Sequence, residues 1–318
     1  MMKKNFLGNT RIEVTEYCLG TLPMGPSQAN LPSETCVEII REAIKLGVNF
    51  IDTAETYNTQ RYIGEAIKSF KREDVVIATK SPQAGYDEMA RSVEKSLKDM
   101  DTNYIDIYHL HAAKASLDVL EKRAGALKYL IRMKSEGVIK AIGISTHNVL
   151  TVNKAIENDD IDVIFPLINQ IGLGILDGTK EDMIDSIGRA SKKGIGLYVM
   201  KVLGGGNLLR DIRSNIRWAR DVKGIASLAM GVVSTEELKF NLNIFGVKGL
   251  ESYGRLDTFK VKHIYIFKRL CIGCGECVAA CPNEALSLFE KKAKVDENKC
   301  ILCGYCSPKC PQFAIRII

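Results

Sequence analysis

The sequence predicts an α/β protein: a (β/α)8 barrel over residues 1–250, a linker over residues 251–260 and a small α+β domain over residues 261–318. Three observations lead to this prediction. Short β-branched runs alternate with amphipathic stretches up to about residue 250, glycines follow the amphipathic stretches, and eight of the ten cysteines lie in the last 48 residues.

The barrel is predicted from the number and spacing of its strand-like runs. Eight such runs occur, over residues 17–20, 48–51, 75–78, 104–108, 139–143, 163–165, 196–200 and 224–228. They are almost continuously apolar, as strands buried on both faces are. Helical patterns over residues 34–46, 117–135 and 180–193 are followed by Gly47, Gly137 and Gly194, typical helix-stop residues. Eight βα units within this length predict a closed barrel, and a hairpin over residues 6–12 precedes it.

The last 48 residues contain two nearly identical cysteine runs with the spacing C-x2-C-x2-C-x3-C-P. This spacing holds [4Fe–4S] clusters through thiolates, and the fourth cysteine of each run reaches the other cluster. Zinc ribbons use two C-x2-C pairs instead, and a disulfide scaffold would follow a secretory signal, which the first residues do not resemble. The predicted ligands are Cys271, Cys274, Cys277 and Cys310 for cluster I, and Cys300, Cys303, Cys306 and Cys281 for cluster II.

From about residue 261 to residue 318 the chain resembles a bacterial two-cluster ferredoxin, with both halves of the internal repeat present. The resemblance implies electron transfer, with a redox protein as a candidate partner. Each half ends in a short apolar run, residues 285–288 and 314–317, and these two runs are expected to pair as small strands. A domain this small buries little apolar surface, so the clusters are expected to stabilise it.

Composition is ordinary for a soluble globular protein, with 46% hydrophobic and 26% charged residues. The net charge of +6 is concentrated in residues 261–318, which hold nine Lys/Arg and five Asp/Glu. Two oxidised clusters with their thiolates would cancel roughly this excess, so nucleic acid is not an expected partner. No apolar run reaches the length of a membrane span. Free cysteines and iron–sulfur spacing are typical of a reducing cytoplasm, where we expect the protein to work.

Polar residues follow the predicted strands at their carboxyl ends, the edge of a (β/α)8 barrel where catalysis takes place. They belong to short motifs: Leu19-Gly20-Thr21, Ile51-Asp52-Thr53-Ala54 followed by Tyr57, Lys80, Asp106-Ile107-Tyr108 before His111, Gly143-Ile144-Ser145 and Asn169-Gln170. With these motifs in this order, the chain resembles the aldo/keto reductase family over roughly residues 4–245.

Four residues of these motifs have the chemistry that carbonyl reduction needs. A hydride must reach the carbon and a proton the oxygen. Tyr57 can give the proton, and Lys80, held by Asp52, is expected to lower the phenol pKa from its usual value of about 10. His111 can donate a hydrogen bond to the substrate oxygen. The resemblance implies the same roles. Each residue taken singly also has an ordinary structural explanation, and strand alternation does not separate His111 from His109; the family pattern selects His111.

The resemblance also implies a nicotinamide cofactor, NADH or NADPH, and a small carbonyl or alcohol substrate. Glu237 stands where many NADPH-preferring relatives have an arginine, so either NADH is preferred or dinucleotide binding is weak or absent. Residues 112–115 lack the usual Trp-Pro, so the pocket is either open or roofed by the C-terminal domain. The expected cofactor contacts are Gly20, Thr21, Ser145, Asn169, Gln170, Lys201, Leu203, Gly204, Gly205, Ser234, Thr235, Glu237 and Asn241.

Three functions remain open at this point. A hydride carries two electrons and each cluster carries one, so clusters and nicotinamide do not form a simple circuit. The first function is NAD(P)-dependent carbonyl reduction or alcohol oxidation, with clusters that serve structure or a partner. The second is iron–sulfur electron transfer that uses a flavin or reduced ferredoxin in place of NAD(P)H. The third is an electron-transfer scaffold with an inactive barrel, and the intact set of four polar residues argues against it.

Overall fold

The computed structural model describes residues 2–113, 118–254 and 263–317. Its first ten strands are β1 (Lys4–Phe6), β2 (Glu13–Thr15), β3 (Tyr17–Gly20), β4 (Phe50–Asp52), β5 (Val76–Ser81), β6 (Ile105–Ala112), β7 (Ile139–Thr146), β8 (Val163–Pro166), β9 (Gly196–Val199) and β10 (Ser227–Gly231). Strands β3 to β10 are parallel and close into a barrel in the order β10-β3-β4-β5-β6-β7-β8-β9. The predicted (β/α)8 barrel is therefore confirmed.

Helices pack around the outside of this barrel. They are α1 (Ser33–Lys45), α2 (Gln60–Ile67), α3 (Tyr86–Asp99), α4 (Val119–Lys122), α5 (Ala124–Ser135), α6 (Val149–Glu157), α7 (Lys180–Lys192), α8 (Ile212–Asp221) and α9 (Thr235–Ile244). The single helix predicted over residues 117–135 is wrong, because the backbone of Arg123 leaves helical geometry between α4 and α5. Its guanidinium donates to the carbonyl of His111 at 2.8 Å, which joins this break to the end of β6.

The barrel interior is filled and its amino-terminal end is closed. Strands β1 and β2 pair as the predicted antiparallel hairpin, and Leu7, Ile12 and Val14 from this region pack against interior residues such as Phe50 and Tyr198. This plug leaves the carboxyl ends of the strands as the accessible end of the barrel.

The cysteine-rich segment, residues 263–317, contains β11 (Ile264–Ile266), α10 (Glu276–Ala280), β12 (Leu286–Phe289), β13 (Lys292–Val295) and β14 (Ile315–Ile317). The predicted pairing of the two apolar runs with each other is wrong: β12 pairs with β13, and β14 pairs with β11. The two residues between β12 and β13, Glu290 and Lys291, both have positive φ, the geometry of a tight hairpin turn. Local closure of this hairpin therefore replaces the long-range pairing.

The cysteine-rich segment lies on the open mouth of the barrel. Asn207 Nδ2 donates to the carbonyl of Cys300 at 3.0 Å, and Gln28 Nε2 donates to the carbonyl of Cys303 at 3.3 Å. Residues 255–262 lie outside the described residues, so the predicted linker and the start of the second domain stay predictions. Among the helices that the structure describes, none is long and apolar enough to cross a bilayer.

Candidate active site and cluster ligands

An ion pair between Asp52 and Lys80 lies inside the mouth of the barrel. Asp52 ends β4 and Lys80 lies near the end of neighbouring β5. Lys80 Nζ donates to both carboxylate oxygens of Asp52, at 2.6 and 2.8 Å, and to the carbonyl of Thr53 at 2.6 Å. These three acceptors use all three protons of the ammonium. Burial raises the pKa of Asp52 and lowers the pKa of Lys80, and the attraction between the two opposes both shifts.

Two buried side chains support this pair from below. The hydroxyl of Tyr198 donates to Asp52 Oδ2 at 2.8 Å and lies 2.7 Å from Nε2 of His109. Burial lowers the pKa of His109 far below its usual value, so the ring is neutral and its Nε2 is the donor to Tyr198. His109 is thus a core residue that positions the carboxylate through Tyr198.

Tyr57 and His111 meet above the ion pair. Tyr57 ends a short 3₁₀ turn, Glu55–Tyr57, directly after β4, and His111 lies near the end of β6. The ring of Tyr57 is 5.2 Å from Lys80 Nζ and 5.9 Å from the ring of His111, measured from the ring centroid. The structure therefore brings together all four residues predicted to be catalytic.

The predicted lowering of the Tyr57 pKa is wrong. Burial raises this pKa well above the usual phenol value, and the neighbouring Tyr305 and Asp52 raise it further. Lys80 has already committed its protons to Asp52 and Thr53. Tyr57 consequently keeps its proton and can donate it. Burial also lowers the pKa of His111 far below its usual range, which leaves a neutral imidazole.

A fifth side chain, Tyr305 of the cysteine-rich segment, completes the cluster. Its hydroxyl lies 3.4 Å from His111 Nε2, and it hydrogen-bonds to Tyr57. The rings of Tyr305 and His111 are 6.2 Å apart and nearly perpendicular. Of the two alternatives for the pocket, the roofed one is therefore observed.

Asp52, Tyr57 and Tyr305 line a cavity of about 180 Å³ at the barrel mouth. Six of the predicted cofactor residues share its wall: Gly20, Lys201, Leu203, Gly205, Glu237 and Asn241. Most of the remaining wall is apolar, with Leu22, Pro23, Phe165, Met200, Leu209 and Met230. Larger grooves of about 840 and 940 Å³ lie beside α1 and at the opposite end of the barrel, away from these residues.

Other predicted cofactor residues are engaged within the protein. The amide of Asn169 accepts from Leu173 N at 2.9 Å and donates to its carbonyl at 2.8 Å. Ser234 caps α9 by accepting from Glu237 N at 3.2 Å. In the described part of the chain, the cavity wall does not include Thr21, Ser145, Asn169, Gln170, Gly204, Ser234 or Thr235. Their cofactor roles stay predictions.

The glycine loop over residues 203–206, where the family resemblance implies the pyrophosphate of a dinucleotide, is covered. A Cβ built on Gly205 would lie 1.9 Å from the carbonyl oxygen of Ile301. Gly205 has a φ of 71°, which glycine adopts without strain. Backbone of the cysteine-rich segment therefore occupies the surface that a phosphate would need.

The eight predicted cluster ligands fall into the two predicted sets. One small cavity is lined by Cys271, Cys274, Cys277 and Cys310, and another by Cys281, Cys300, Cys303 and Cys306. Among the described side chains, no three His, Cys, Asp or Glu residues converge on a single metal ion. Backbone N–H groups of Ala285, Ala293 and Ala314 donate to Sγ of Cys281, Cys271 and Cys310, each at 3.3 Å.

Sequence reasoning missed the roles of Tyr305 and Tyr198. A signal for Tyr305 was present: the repeat places Glu276 at the equivalent position of the first cysteine run, so the two runs differ there. Tyr198 lies in a strand and carried no signal, because an apolar strand with one tyrosine is ordinary.

Comparisons with known proteins agree with this architecture. The aldo/keto reductase family profile matches residues 16–224, and a 4Fe-4S dicluster domain profile matches residues 270–315. Similar solved structures include the holo form of an aldo-keto reductase, AKR11C1, from Bacillus halodurans. It is 20% identical, with a TM-score of 0.64 over 82% of this chain and 99% of that one, and shows the shared fold.

Curated relatives match over part of their length. Aldo-keto reductase YhdN of Bacillus subtilis is 31% identical over 163 residues, which cover 46% of this chain and 48% of the relative. The NADH-specific methylglyoxal reductase of Escherichia coli is 29% identical over 211 residues, which cover 57% of this chain and 62% of the relative. The chain thus spans about half to three-fifths of the length of these relatives.

Proposed function

Because the chain belongs to the aldo/keto reductase family, we propose that it interconverts a small carbonyl compound and its alcohol at the barrel mouth. The observation that carries this proposal is the convergence of Tyr57, His111 and the Asp52–Lys80 pair in one place. They come from the ends of three neighbouring strands, β4, β5 and β6, which is the usual construction of a catalytic site in this fold.

The four residues have different roles at the substrate oxygen. Tyr57 supplies its proton, since burial keeps the phenol protonated. His111, neutral, orients the oxygen through a hydrogen bond from Nε2. The Asp52–Lys80 pair places a fixed dipole beneath the Tyr57 ring, and Tyr198 holds the carboxylate in position.

A small, largely apolar substrate fits the cavity. Its volume of about 180 Å³ lies below the roughly 300 Å³ at which pockets for drug-sized ligands begin. The relative named methylglyoxal reductase supports a substrate of this size, and methylglyoxal is the natural first probe.

The cysteine-rich segment is proposed to hold two [4Fe–4S] clusters. When bound, they supply one-electron transfer. The residues fit the group: each cavity presents four thiols, and backbone N–H groups point at three of the sulfurs. Such N–H···S bonds stabilise the added charge of a reduced cluster.

A complete nicotinamide dinucleotide does not fit this arrangement of residues. The cavity is smaller than the roughly 300 Å³ at which pockets for drug-sized ligands begin. Ile301 covers Gly205, the amide of Asn169 is bonded to Leu173, and the Glu237 carboxylate borders the cavity. NAD(P)H would bind only if residues 300–306 moved away, and the roles given above for the four residues do not involve it.

Steady-state kinetics on anaerobically purified protein tests the proposal. Methylglyoxal reduction is followed with NADH, with NADPH, or with a low-potential one-electron donor. Tyr57→Phe should lower kcat by about 10² to 10⁴-fold, whereas Tyr62→Phe, a control on α2, should leave it unchanged. The proposal fails if a broad panel of small carbonyls gives no turnover, or if Tyr57→Phe behaves like the control. Release of a flavin on denaturation would support the flavin-dependent alternative.

A further inference from the structure

The geometry points to Tyr305 as the residue that couples cluster II to the barrel site, so that the carbonyl is reduced with electrons from the clusters. This inference rests on the proposed function and adds the electron source. The reductant is a low-potential one-electron carrier, which replaces a hydride donor.

Tyr305 belongs to both sites at once. In the sequence it lies between Cys303 and Cys306, two of the proposed ligands of cluster II. In the structure its hydroxyl is 3.4 Å from Nε2 of His111 and hydrogen-bonds to Tyr57. One side chain therefore spans the distance between a cluster loop and the groups that would hold the substrate oxygen.

The loop that carries Tyr305 is fixed against the barrel by several contacts. The carbonyls of Cys300 and Cys303 accept hydrogen bonds from Asn207 and Gln28, at 3.0 and 3.3 Å. Cys303 is buried with Ile301 against residues at the barrel mouth. Buried contacts of this kind keep cluster II at a constant separation from the site, which electron transfer at a defined rate requires.

The two halves of the cysteine-rich segment differ, and the difference indicates where electrons would enter and where they would leave. At the position equivalent to Tyr305, the first cysteine run has Glu276. Cys274 of that run is exposed, and the side chain of Ile272 is 61% exposed. An external carrier could thus approach the cysteines that would hold cluster I, while the loop that would hold cluster II carries Tyr305 to the barrel mouth.

The reduction balances with two electrons and two protons. The carbonyl π bond breaks, one O–H bond and one C–H bond form, and two molecules of the one-electron carrier are each oxidised once. Tyr57 gives the proton that reaches oxygen. The proton that reaches carbon comes from water or from O–H groups of the site that exchange with water. Two reduced clusters together hold the electron pair that one carbonyl consumes.

The origin of the new C–H hydrogen distinguishes this route from hydride transfer. Protein with reduced clusters, freed of excess reductant and of nucleotide, is mixed with methylglyoxal in D2O. We expect the clusters to be reoxidised only when the carbonyl is present, and the new carbinol carbon to carry deuterium by mass spectrometry. Hydride transfer from NADH in D2O leaves protium at that carbon.

Substitutions at Tyr305 test the coupling itself. Tyr305→Ala should slow carbonyl-dependent cluster reoxidation by about 10²-fold, with the iron content and the electron paramagnetic resonance signals of both clusters unchanged. Tyr305→Phe, which keeps the ring, should fall between Tyr305→Ala and the unsubstituted protein. Phe313→Ala, on an exposed aromatic residue of the same segment, is the matched control and should have no effect.

Each outcome bears on the inference. Three results would each overturn it. The clusters could be reoxidised at the same rate without the carbonyl, the new C–H bond could carry protium, or Tyr305→Ala could react as fast as the control. If NADH then still drives a Tyr57-dependent reduction that delivers protium, the proposed function stands and only the electron source is wrong. If neither reductant supports reduction, the proposed function itself fails.

Discussion

Breaking the Asp52–Lys80 pair should destabilise the whole barrel as well as stop catalysis. The side chain of Lys80 is fully buried and that of Asp52 is 6% exposed. Asp52→Asn or Lys80→Met would each leave a buried group without its charged partner. Such a loss costs about 3–5 kcal/mol of unfolding free energy. At about 2.1 cal/mol/K of unfolding entropy for each of the 318 residues, that corresponds to a fall in Tm of about 4–8 °C.

The double variant Asp52→Asn/Lys80→Met gives the sharper test. It removes both charges together, so most of the penalty for an unpaired buried charge disappears. The losses of unfolding free energy in the two single variants should therefore add up to about 1–3 kcal/mol more than the loss in the double variant. The loss of unfolding free energy in Asp52→Asn has an upper limit. Burial already lowers the pKa of Lys80, so the unpaired amine can release its proton and avoid the penalty of a buried charge.

Thermal unfolding followed by far-UV circular dichroism under anaerobic conditions measures these differences. The control is Asp185→Asn, which breaks an exposed helix pair with Arg189 at 3.0 Å. An exposed pair of this kind contributes about 0.3–0.5 kcal/mol. If either single variant at the mouth is as mild as this control, or if the double variant costs the sum of the singles, the reasoning about a buried, coupled pair is refuted.

Three further predictions concern the proton donor, the covered loop and the cluster ligands. Because the raised pKa keeps Tyr57 protonated, the rate of carbonyl reduction should not fall with rising pH until above about pH 10. A decline near neutral pH in the pH–rate profile would instead support the lowered Tyr57 pKa that was expected from the sequence. Gly205→Ala should lower the unfolding free energy by about 1–3 kcal/mol more than Gly246→Ala in thermal unfolding. Both glycines have positive φ, but only a Cβ at residue 205 would clash with Ile301. Equal losses in the two variants would argue against this contact. Cys281→Ser should remove cluster II and Cys310→Ser cluster I, so that iron analysis falls from about eight to about four per chain in each variant, and loss of the opposite electron paramagnetic resonance signal would reverse the assignment.

The barrel was predictable because its strands are buried on both faces. A strand such as β8 then shows as a continuous apolar run, and the helix-stop glycines separate one βα unit from the next. The hairpin β12–β13 was not predictable in the same way. Its turn residues, Glu290 and Lys291, are not the usual residues for positive φ, so no turn was predicted there.

The positions of the four residues predicted to be catalytic followed from the fold, but their protonation did not. Parallel strands end at one edge, so Asp52, Lys80 and His111 had to converge once the barrel was assigned. The Tyr57 pKa depends on how much solvent is excluded and on which acceptors Lys80 has already engaged. Both are properties of the packed molecule, and sequence spacing contains neither.

The packing of the cysteine-rich segment against the barrel mouth also determines which proposed electron source could reach a substrate there. Gly205 lies so close to the carbonyl of Ile301 that even an added Cβ would clash with it, so a cofactor phosphate has no room on this face of the loop while Ile301 is in place. The Tyr305 hydroxyl likewise lies 3.4 Å from His111 Nε2, although the two residues are 194 positions apart in the chain. The contacts that cover the predicted dinucleotide residues are therefore also those that would bring the proposed cluster II to the barrel mouth. A hydride donor and a docked cluster II should for this reason exclude each other, and saturating NADH should weaken rather than add to cluster-driven reduction.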